Sequence, residues 1–202
     1  MKALWVDSGN DADWAKVSAH HMTHLYFDLF DSRVRAPYLG DVRGRGYGVG
    51  VYCVSNWSQF QGMNGAQMAQ RVHEELKTVT GTPETSAAFP KVQFDIEQHD
   101  PIFVLDCLRR FRTLRPKQDV SWTLESYQGG WMSDQFVADV LSCRVRIVPQ
   151  YYGGNMTPFA QDIAFKDLLD RGFPPNIITG FYDAAALPEY WDGFAFTQGR
   201  LP

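Results

Sequence analysis

Two carboxylates that are separated by one residue, Asp95 and Glu97, end a hydrophobic stretch at residues 92–98. Such a stretch is typical of a buried β-strand, and alternate side chains of a strand point to the same face, with α-carbons about 6–7 Å apart. Repulsion between two neighbouring carboxylates raises the pKa of one of them, so that one carboxyl group can act as an acid while the other stays ionised. The pair indicates acid–base cleavage of a glycosidic bond; the alternative is a solvated strand end or a salt-bridge partner.

The rest of the chain supplies elements that would position these acids. Strand-like segments are found at residues 4–7, 25–31, 48–55, 92–98, 119–127, 145–152, 176–183 and 193–198. Helical patterns cover residues 12–24, 65–80, 101–114, 133–143 and 159–171, while residues 32–47 are typical of a loop with at most a short helix. The clearest helix has Met68, Val72 and Leu76 at a spacing of four.

Strands that alternate with helices favour a parallel sheet, and eight of them favour a closed barrel. We therefore predict an α/β fold, a compact single-domain (β/α)8 TIM barrel over residues 1–202. A doubly wound open sheet is the alternative. In a barrel the active site lies at the carboxyl ends of the strands, so polar residues at those ends are the candidates for function.

Acids, amides and aromatic residues follow most of the predicted strands. The predicted catalytic residues are Glu97, Asp95 and Asp7, and the predicted substrate-binding residues are Asp28, Trp57, Glu125, Gln150, Tyr152, Asp183 and Gln198. An acidic mouth with aromatic side chains suits a neutral, polyhydroxylated ligand better than it suits a phosphate. We expect a glycan ligand that stacks on the aromatic rings.

Composition narrows the class of protein. The 202 residues are 45% hydrophobic and 14% aromatic, enough for a single folded core, and the formal net charge of −4 argues against a nucleic-acid partner. The three cysteines, Cys53, Cys107 and Cys143, each lie in a hydrophobic segment and are expected to be buried free thiols. No apolar run is long enough for a membrane span and no signal peptide is recognised, so synthesis in the cytoplasm without membrane insertion is expected.

Two further patterns are weighed and set aside. Residues 44–48 superficially resemble a phosphate-binding loop, but they precede a strand and no G-K-[ST] follows. His20, His21 and His24 place two imidazoles four residues apart on the predicted first helix, where they could bind a metal. The glutamate of H-E-x-x-H is missing, so an exterior helix with partly exposed imidazoles is the preferred interpretation. We predict no metal and no cofactor.

The strand ends resemble those of glycoside hydrolase family 25, the lysozyme-like muramidases of phage endolysins and bacterial wall enzymes. The residues that carry the resemblance are Asp7 with the nearby pair Asp13 and Trp14, the run Phe94, Asp95, Ile96 and Glu97, and the pair Gln150 and Tyr151. Family 18 barrels also end their fourth strand in D-x-E, but their fuller D-x-x-D-x-D-x-E is absent here.

The resemblance implies a role for each acid. Glu97 would be the general acid, Asp95 would orient the substrate or stabilise the positively charged intermediate, and Asp7 would complete the carboxylate cluster. The second and third strands end in polar residues that differ from the family's pattern. The separation of the carboxyl groups would decide between retention and inversion, and the sequence leaves that choice open.

Two functions from different classes follow. The first is a glycosidase of muramidase type that cleaves bacterial cell-wall or related N-acetylated polysaccharide. The second is a noncatalytic phage virion or tail protein, structural or glycan-binding, on the same barrel. The expected partners are a polysaccharide substrate or glycan ligand, or virion assembly partners. The protein would be virion-associated or released at lysis.

Overall fold

The computed structural model describes residues 2–6, 14–80, 90–96, 100–125, 131–151, 158–183 and 193–196. The strands are Lys2–Val6 (β1), His24–Asp28 (β2), Gly48–Val54 (β3), Lys91–Asp95 (β4), Val120–Glu125 (β5), Arg146–Tyr151 (β6), Phe181–Asp183 (β7) and Gly193–Phe196 (β8). The helices are Trp14–Ala19 (α1), Ala36–Gly44 (α2), Gly65–Thr80 (α3), Pro101–Leu114 (α4), Asp134–Ser142 (α5) and Pro158–Asp170 (α6), with 3-10 turns at Ser58–Phe60 and Pro175–Ile177.

All the strands pair in parallel and follow the order of the chain. The strands β1–β6 are five to seven residues long and form the main curved sheet. The short strands β7 and β8 pair with each other and connect β6 to β1, so that the pairing describes a ring. The α/β class with a parallel sheet is confirmed. The predicted closed (β/α)8 barrel is met only in part: β1–β6 form a curled parallel sheet, β6 and β7 share two residue pairs, and the residues between β7 and β8 are not described.

Side-chain alternation in the strands separates two hydrophobic layers. Outward-facing residues such as Phe27, Val51 and Phe94 pack under the helices in the larger core. Inward-facing residues, among them Trp5 and Tyr52, form a second cluster inside the ring. Because both faces of a parallel sheet are covered, nearly every position of β1 to β4 is buried.

The helices begin where the local sequence provides a cap. Asp100 accepts a hydrogen bond from Ile102 N at 2.9 Å and Pro101 occupies the first turn, so α4 begins there. Ser133 caps α5 through Phe136 N in the same way. The predicted apolar stripe of α3 is confirmed, since Met68, Val72 and Leu76 are fully buried.

Three predicted elements require correction. Residues 32–47 are predicted as a loop with at most a short helix; the nine-residue helix α2 lies there and buries Leu39 and Val42. The predicted helix at residues 12–24 is shorter, because His24 already pairs in β2. The predicted seventh strand begins late: residues 175–177 form a 3-10 turn, a single bridge joins Ile178 to Ile147, and β7 follows.

Candidate functional site

Asp95 lies at the carboxyl end of β4, on the inner face of the ring. Its residue is only 4% exposed, and its Oδ1 accepts a hydrogen bond from Gln150 Nε2 on β6 at 3.2 Å. Its carbonyl oxygen accepts from Ser55 N at 2.8 Å, which fixes the backbone where β3 ends. A hydrogen-bond donor directed at a carboxylate oxygen favours the ionised form. Asp95 is therefore a positioned carboxylate in a restricted space.

A second buried carboxylate, Asp28, ends β2. Its Oδ1 accepts a hydrogen bond from Phe30 N at 2.7 Å, which turns the chain away from the strand. The Cys53 thiol on β3 lies close to both acids: burial raises its pKa well above the ordinary value, and the charges of Cys107, Asp95 and Asp28 add to the rise. Asp28 and Asp95 thus flank β3 at the same end of the ring.

A shallow pocket opens beside Asp28, between the ends of β1 and β2 and the helix α2, with about 200 Å³ of free space that includes open solvent. Its lining consists of Val6, Phe27, Asp28, Asp31, Arg33, Val34 and Tyr38. The guanidinium of Arg33 binds Asp31 through two nitrogens, with Nη2 to Oδ2 at 2.7 Å and Nε to Oδ1 at 3.1 Å. The pocket combines both signs of charge with apolar walls.

A buried hydrogen-bonded layer forms the floor below Asp95. Trp5 Nε1 donates to Gln93 Oε1 at 2.9 Å, and Gln93 Nε2 donates to Thr123 Oγ1 at 2.7 Å across the ring. The Trp5 ring stacks on Tyr52 at 4.1 Å between centroids, and Tyr52 OH donates to the Val6 carbonyl at 3.2 Å. Because Gln93 and Thr123 are fully buried, this layer separates the mouth from the opposite end of the ring.

The structure brings together only some of the predicted site residues. Asp28, Asp95 and Gln150 lie at the carboxyl end, and Asp95 and Gln150 are in contact. Trp57 is partly buried against Tyr52 and Phe30, with ring centroids at 5.8 and 6.3 Å, so it packs as part of the wall. The side chains of Glu125 and Asp183 are not described, although both residues end strands. Asp7, Glu97, Tyr152 and Gln198 lie outside the described residues.

The sequence interpretation missed the floor. Gln93 lies two residues before Asp95 and therefore on the same, inner face of β4. Thr123 lies on the inner face of β5, the neighbouring strand. A polar residue in the middle of an otherwise apolar strand was the available signal, because a buried amide needs partners for both its donor and its acceptor.

The described residues contain no group of three or more His, Cys, Asp or Glu side chains that could hold a metal. His20 and His24 do not form the predicted pair on one helix, because α1 ends at Ala19 and His24 lies in β2. No metal was assigned to either imidazole from the sequence. All three cysteines are free and buried, as predicted. In the described part of the chain, no helix combines the length and apolar character that a membrane crossing requires.

Comparison with known proteins identifies a fold relative. The fold is similar to the crystal structure of 2,3-dimethylmalate lyase, a PEP mutase/isocitrate lyase superfamily member, with a TM-score of 0.57. The two chains are 14% identical, and the alignment covers 97% of this chain and 75% of the other. No protein-family model and no curated protein matches the chain. At this identity, the similarity concerns the fold alone.

This comparison corrects the functional predictions. The resemblance to glycoside hydrolase family 25 is wrong, since the fold relative is a lyase from a different barrel family. The predicted glycosidase, its noncatalytic virion alternative, and the associated peptidoglycan and phage assignments are not supported. The physical reason is that barrels with unrelated activities place their functional groups, acids among them, at the same strand ends, so a D-x-E motif does not identify a reaction.

Proposed function

We propose that the protein is an enzyme of lyase type that uses Asp95 as its acid–base residue on a small, polar hydroxy acid. The observation that carries the proposal is the buried Asp95 carboxylate, held by Gln150 at the carboxyl end of the strands. The proposal of a lyase, as opposed to another class of enzyme, rests on the fold similarity to 2,3-dimethylmalate lyase. The proposal treats the ring of strands as a complete (β/α)8 barrel, in which functional groups lie at this end.

The chemistry requires one base and no hydrolytic water. Asp95 would accept the proton of a substrate hydroxyl, the bond between the hydroxyl-bearing carbon and its neighbour would break, and its electron pair would form an enolate on the departing fragment. The proton then returns to that fragment, so atoms and charge balance. A positioned acid–base residue of this kind contributes about 10²–10⁴-fold to a rate.

The amide of Gln150 would hold Asp95 in the ionised form needed for the first step. Substrate would bind at the carboxyl end of the strands, where Asp28 and Asp95 flank β3. The buried floor through Gln93 would prevent water from entering through the ring.

The test is cleavage of a panel of methyl-substituted malates, with carbonyl products and solvent deuterium incorporation followed by NMR. We expect activity in the natural sequence and a loss of about 10²-fold or more in Asp95→Asn. The matched control is Asp106→Asn, which makes the same change on an exposed face of α4 and should keep full activity. Circular dichroism verifies that both variants are folded.

A second variant separates chemistry from structure. In Gln150→Leu the carboxylate loses its amide donor, so the acidic limb of the pH–rate profile should move to higher pH. The lyase proposal fails if the folded protein gives neither product nor deuterium exchange with any substrate of the panel. The role of Asp95 fails if Asp95→Asn retains the rate of the natural sequence.

A further inference from the structure

Five cationic side chains gather at the amino-terminal end of the ring, opposite to Asp95. We call Lys91, Arg112, Lys117, Arg144 and Arg146 the amino-end cation cluster. Asp119 lies between two of them, with Oδ2 3.4 Å from Lys91 Nζ and Oδ1 3.8 Å from Arg146 Nε. Among the described residues, neither Lys117 nor Arg144 forms an ion pair with a carboxylate, and both are exposed. Counted over the described residues, the cluster therefore has an excess of positive charge.

The helix dipole accounts for only part of this excess. Cations are favourable at the end of a helix, where backbone carbonyls lack partners. Arg112 lies in the last turn of α4, and Arg144 directly follows Cys143, the C-cap residue of α5. Asp119 pairs with both Lys91 and Arg146, but its single charge balances one of them. Lys117 lies in the turn that precedes β5, so helix ends and ion pairs leave positive charge unbalanced.

Arg112 holds the two turns in a fixed relation. Its guanidinium donates to four backbone carbonyl oxygens: those of Cys143 at 2.9 Å, Pro116 at 3.1 Å, Gln118 at 2.8 Å and Arg144 at 2.9 Å. Burial is the main cause that lowers the pKa of Arg112; the charge of Arg144 also lowers it, while those of Cys143 and Asp119 raise it. Arg144 itself has φ 53, a left-handed backbone that costs a non-glycine residue energy. The Arg112 hydrogen bonds therefore hold the backbones that carry Lys117 and Arg144 close to each other.

We propose that the amino-end cation cluster binds a multiply charged phosphate anion, such as a small oligophosphate. Phosphate oxygens accept hydrogen bonds from arginine forks and attract lysine as a point charge, and several phosphates are needed to balance a cluster of this charge. The site is independent of the proposed lyase function, because the buried layer through Gln93 lies between the two ends.

His24 provides a spectroscopic reporter beside the cluster. Burial lowers the pKa of His24, and the positive charge of Lys91 lowers it further. An anion bound at Lys91 would offset that charge. The pKa of the His24 imidazole should therefore rise when the site is filled, and titration at constant ionic strength separates this rise from salt screening of Lys91.

The experiment uses inorganic triphosphate as the probe, with calorimetry at low salt and NMR of the arginine Nε–H groups and of His24. The test variant is Lys117→Gln with Arg144→Gln, which leaves the Arg112 clamp intact. The control variant is Arg71→Gln with Lys166→Gln, which removes the same charge from the exposed faces of α3 and α6.

We expect saturable binding that weakens about tenfold or more in the test variant and about twofold or less in the control. The pKa of His24 should rise with triphosphate in the natural sequence. The proposal is overturned by the absence of saturable binding, by undiminished binding in the test variant, or by an equal loss in both variants, which would show a net-charge effect only.

Discussion

At the scale of single residues, the interior of the ring is organised by an amide. Gln93 uses its oxygen for Trp5 and its nitrogen for Thr123, so its orientation is fixed and its polar atoms are satisfied without water. The next inward residue along β4 is Asp95, which is held in turn by Gln150. Each polar group thus has a defined partner, which is how a carboxylate can remain buried in a defined position.

A glycine is required where an aromatic ring crosses the neighbouring strand. A Cβ atom at Gly50 would lie 2.3 Å from Cε1 of Tyr26, closer than nonbonded atoms approach. We expect Gly50→Ala to lower the free energy of unfolding by about 1–3 kcal/mol, since the buried Tyr26 ring has no space to move into. Urea denaturation monitored by tryptophan fluorescence measures the change.

The matched control is Gly40→Ala in α2. A Cβ there meets nothing within 4 Å, and alanine reduces the entropy of the unfolded chain. The unfolding free energy should rise by about 0.5–1 kcal/mol. An equal response at both positions would contradict the steric explanation.

At the scale of elements, strands and helices are connected by specific clamps as well as by the core. The Arg112 guanidinium joins the end of α4 to the turns before β5 and β6 through four carbonyl oxygens. These hydrogen bonds fix the position of the turn before β5 relative to the turn before β6. It also holds the turns that carry Lys117 and Arg144.

Replacing this clamp tests its contribution to the fold. In Arg112→Met the apolar stem remains and the four hydrogen bonds are lost, so we expect the free energy of unfolding to fall by about 2–4 kcal/mol. Amide hydrogen exchange at Gln118 and Arg144, whose N–H groups bond within these turns, should accelerate. Urea denaturation and exchange NMR measure the two effects.

The comparison variant is Arg110→Met on the same helix. Arg110 is exposed and donates to the side chain of Gln70 at 2.8 Å, so its loss should change stability by about 0.5 kcal/mol or less. If both variants lose the same stability, the carbonyl clamp has no special role.

At the scale of the whole molecule, buried carboxylates and clustered cations lie at opposite ends of the ring. Buried acids occupy the carboxyl end, and the cation cluster with His24 occupies the amino end. His24 has a pKa below its ordinary value, chiefly through burial and then through Lys91. Protonation of this imidazole is therefore less favourable in the folded protein than in the unfolded chain.

This difference makes stability depend on pH in a defined direction. The unfolded chain takes up a proton at His24 near pH 6.5 while the folded protein does so only at lower pH. The free energy of unfolding should therefore be fully retained above about pH 6.5 and should fall as the pH decreases towards the lowered pKa. Urea titrations at pH 5 to 8 measure this slope.

His24→Gln removes the titrating group and should flatten the slope in that window. His21→Asn replaces an exposed imidazole at φ 54 with a residue that tolerates this backbone, and it serves as the control. If the slope survives in His24→Gln and is lost in His21→Asn, the pH dependence comes from His21 and the prediction for His24 is wrong.

The sequence by itself determined the α/β class and most strands and helices, because hydrophobic periodicity and caps such as Asp100 and Ser133 act over a few neighbouring residues. It also placed Asp28, Asp95 and Gln150 at strand ends. It allowed only a short helix where α2 lies, because the glycines there weaken the helical pattern, and it misplaced His24 in a helix. Local patterns cannot weigh the strand pairing that overrides them.

Tertiary structure alone decided which strand ends meet and with what partners. The contact of Gln150 with Asp95 spans 55 residues, and that of Trp5 with Gln93 spans 88. Neither is encoded by spacing along the chain, because each depends on the order and register of parallel strands around the ring. For the same reason the D-x-E motif predicted the wrong family: it records where a strand ends, while the surrounding residues, brought together by the fold, determine the chemistry.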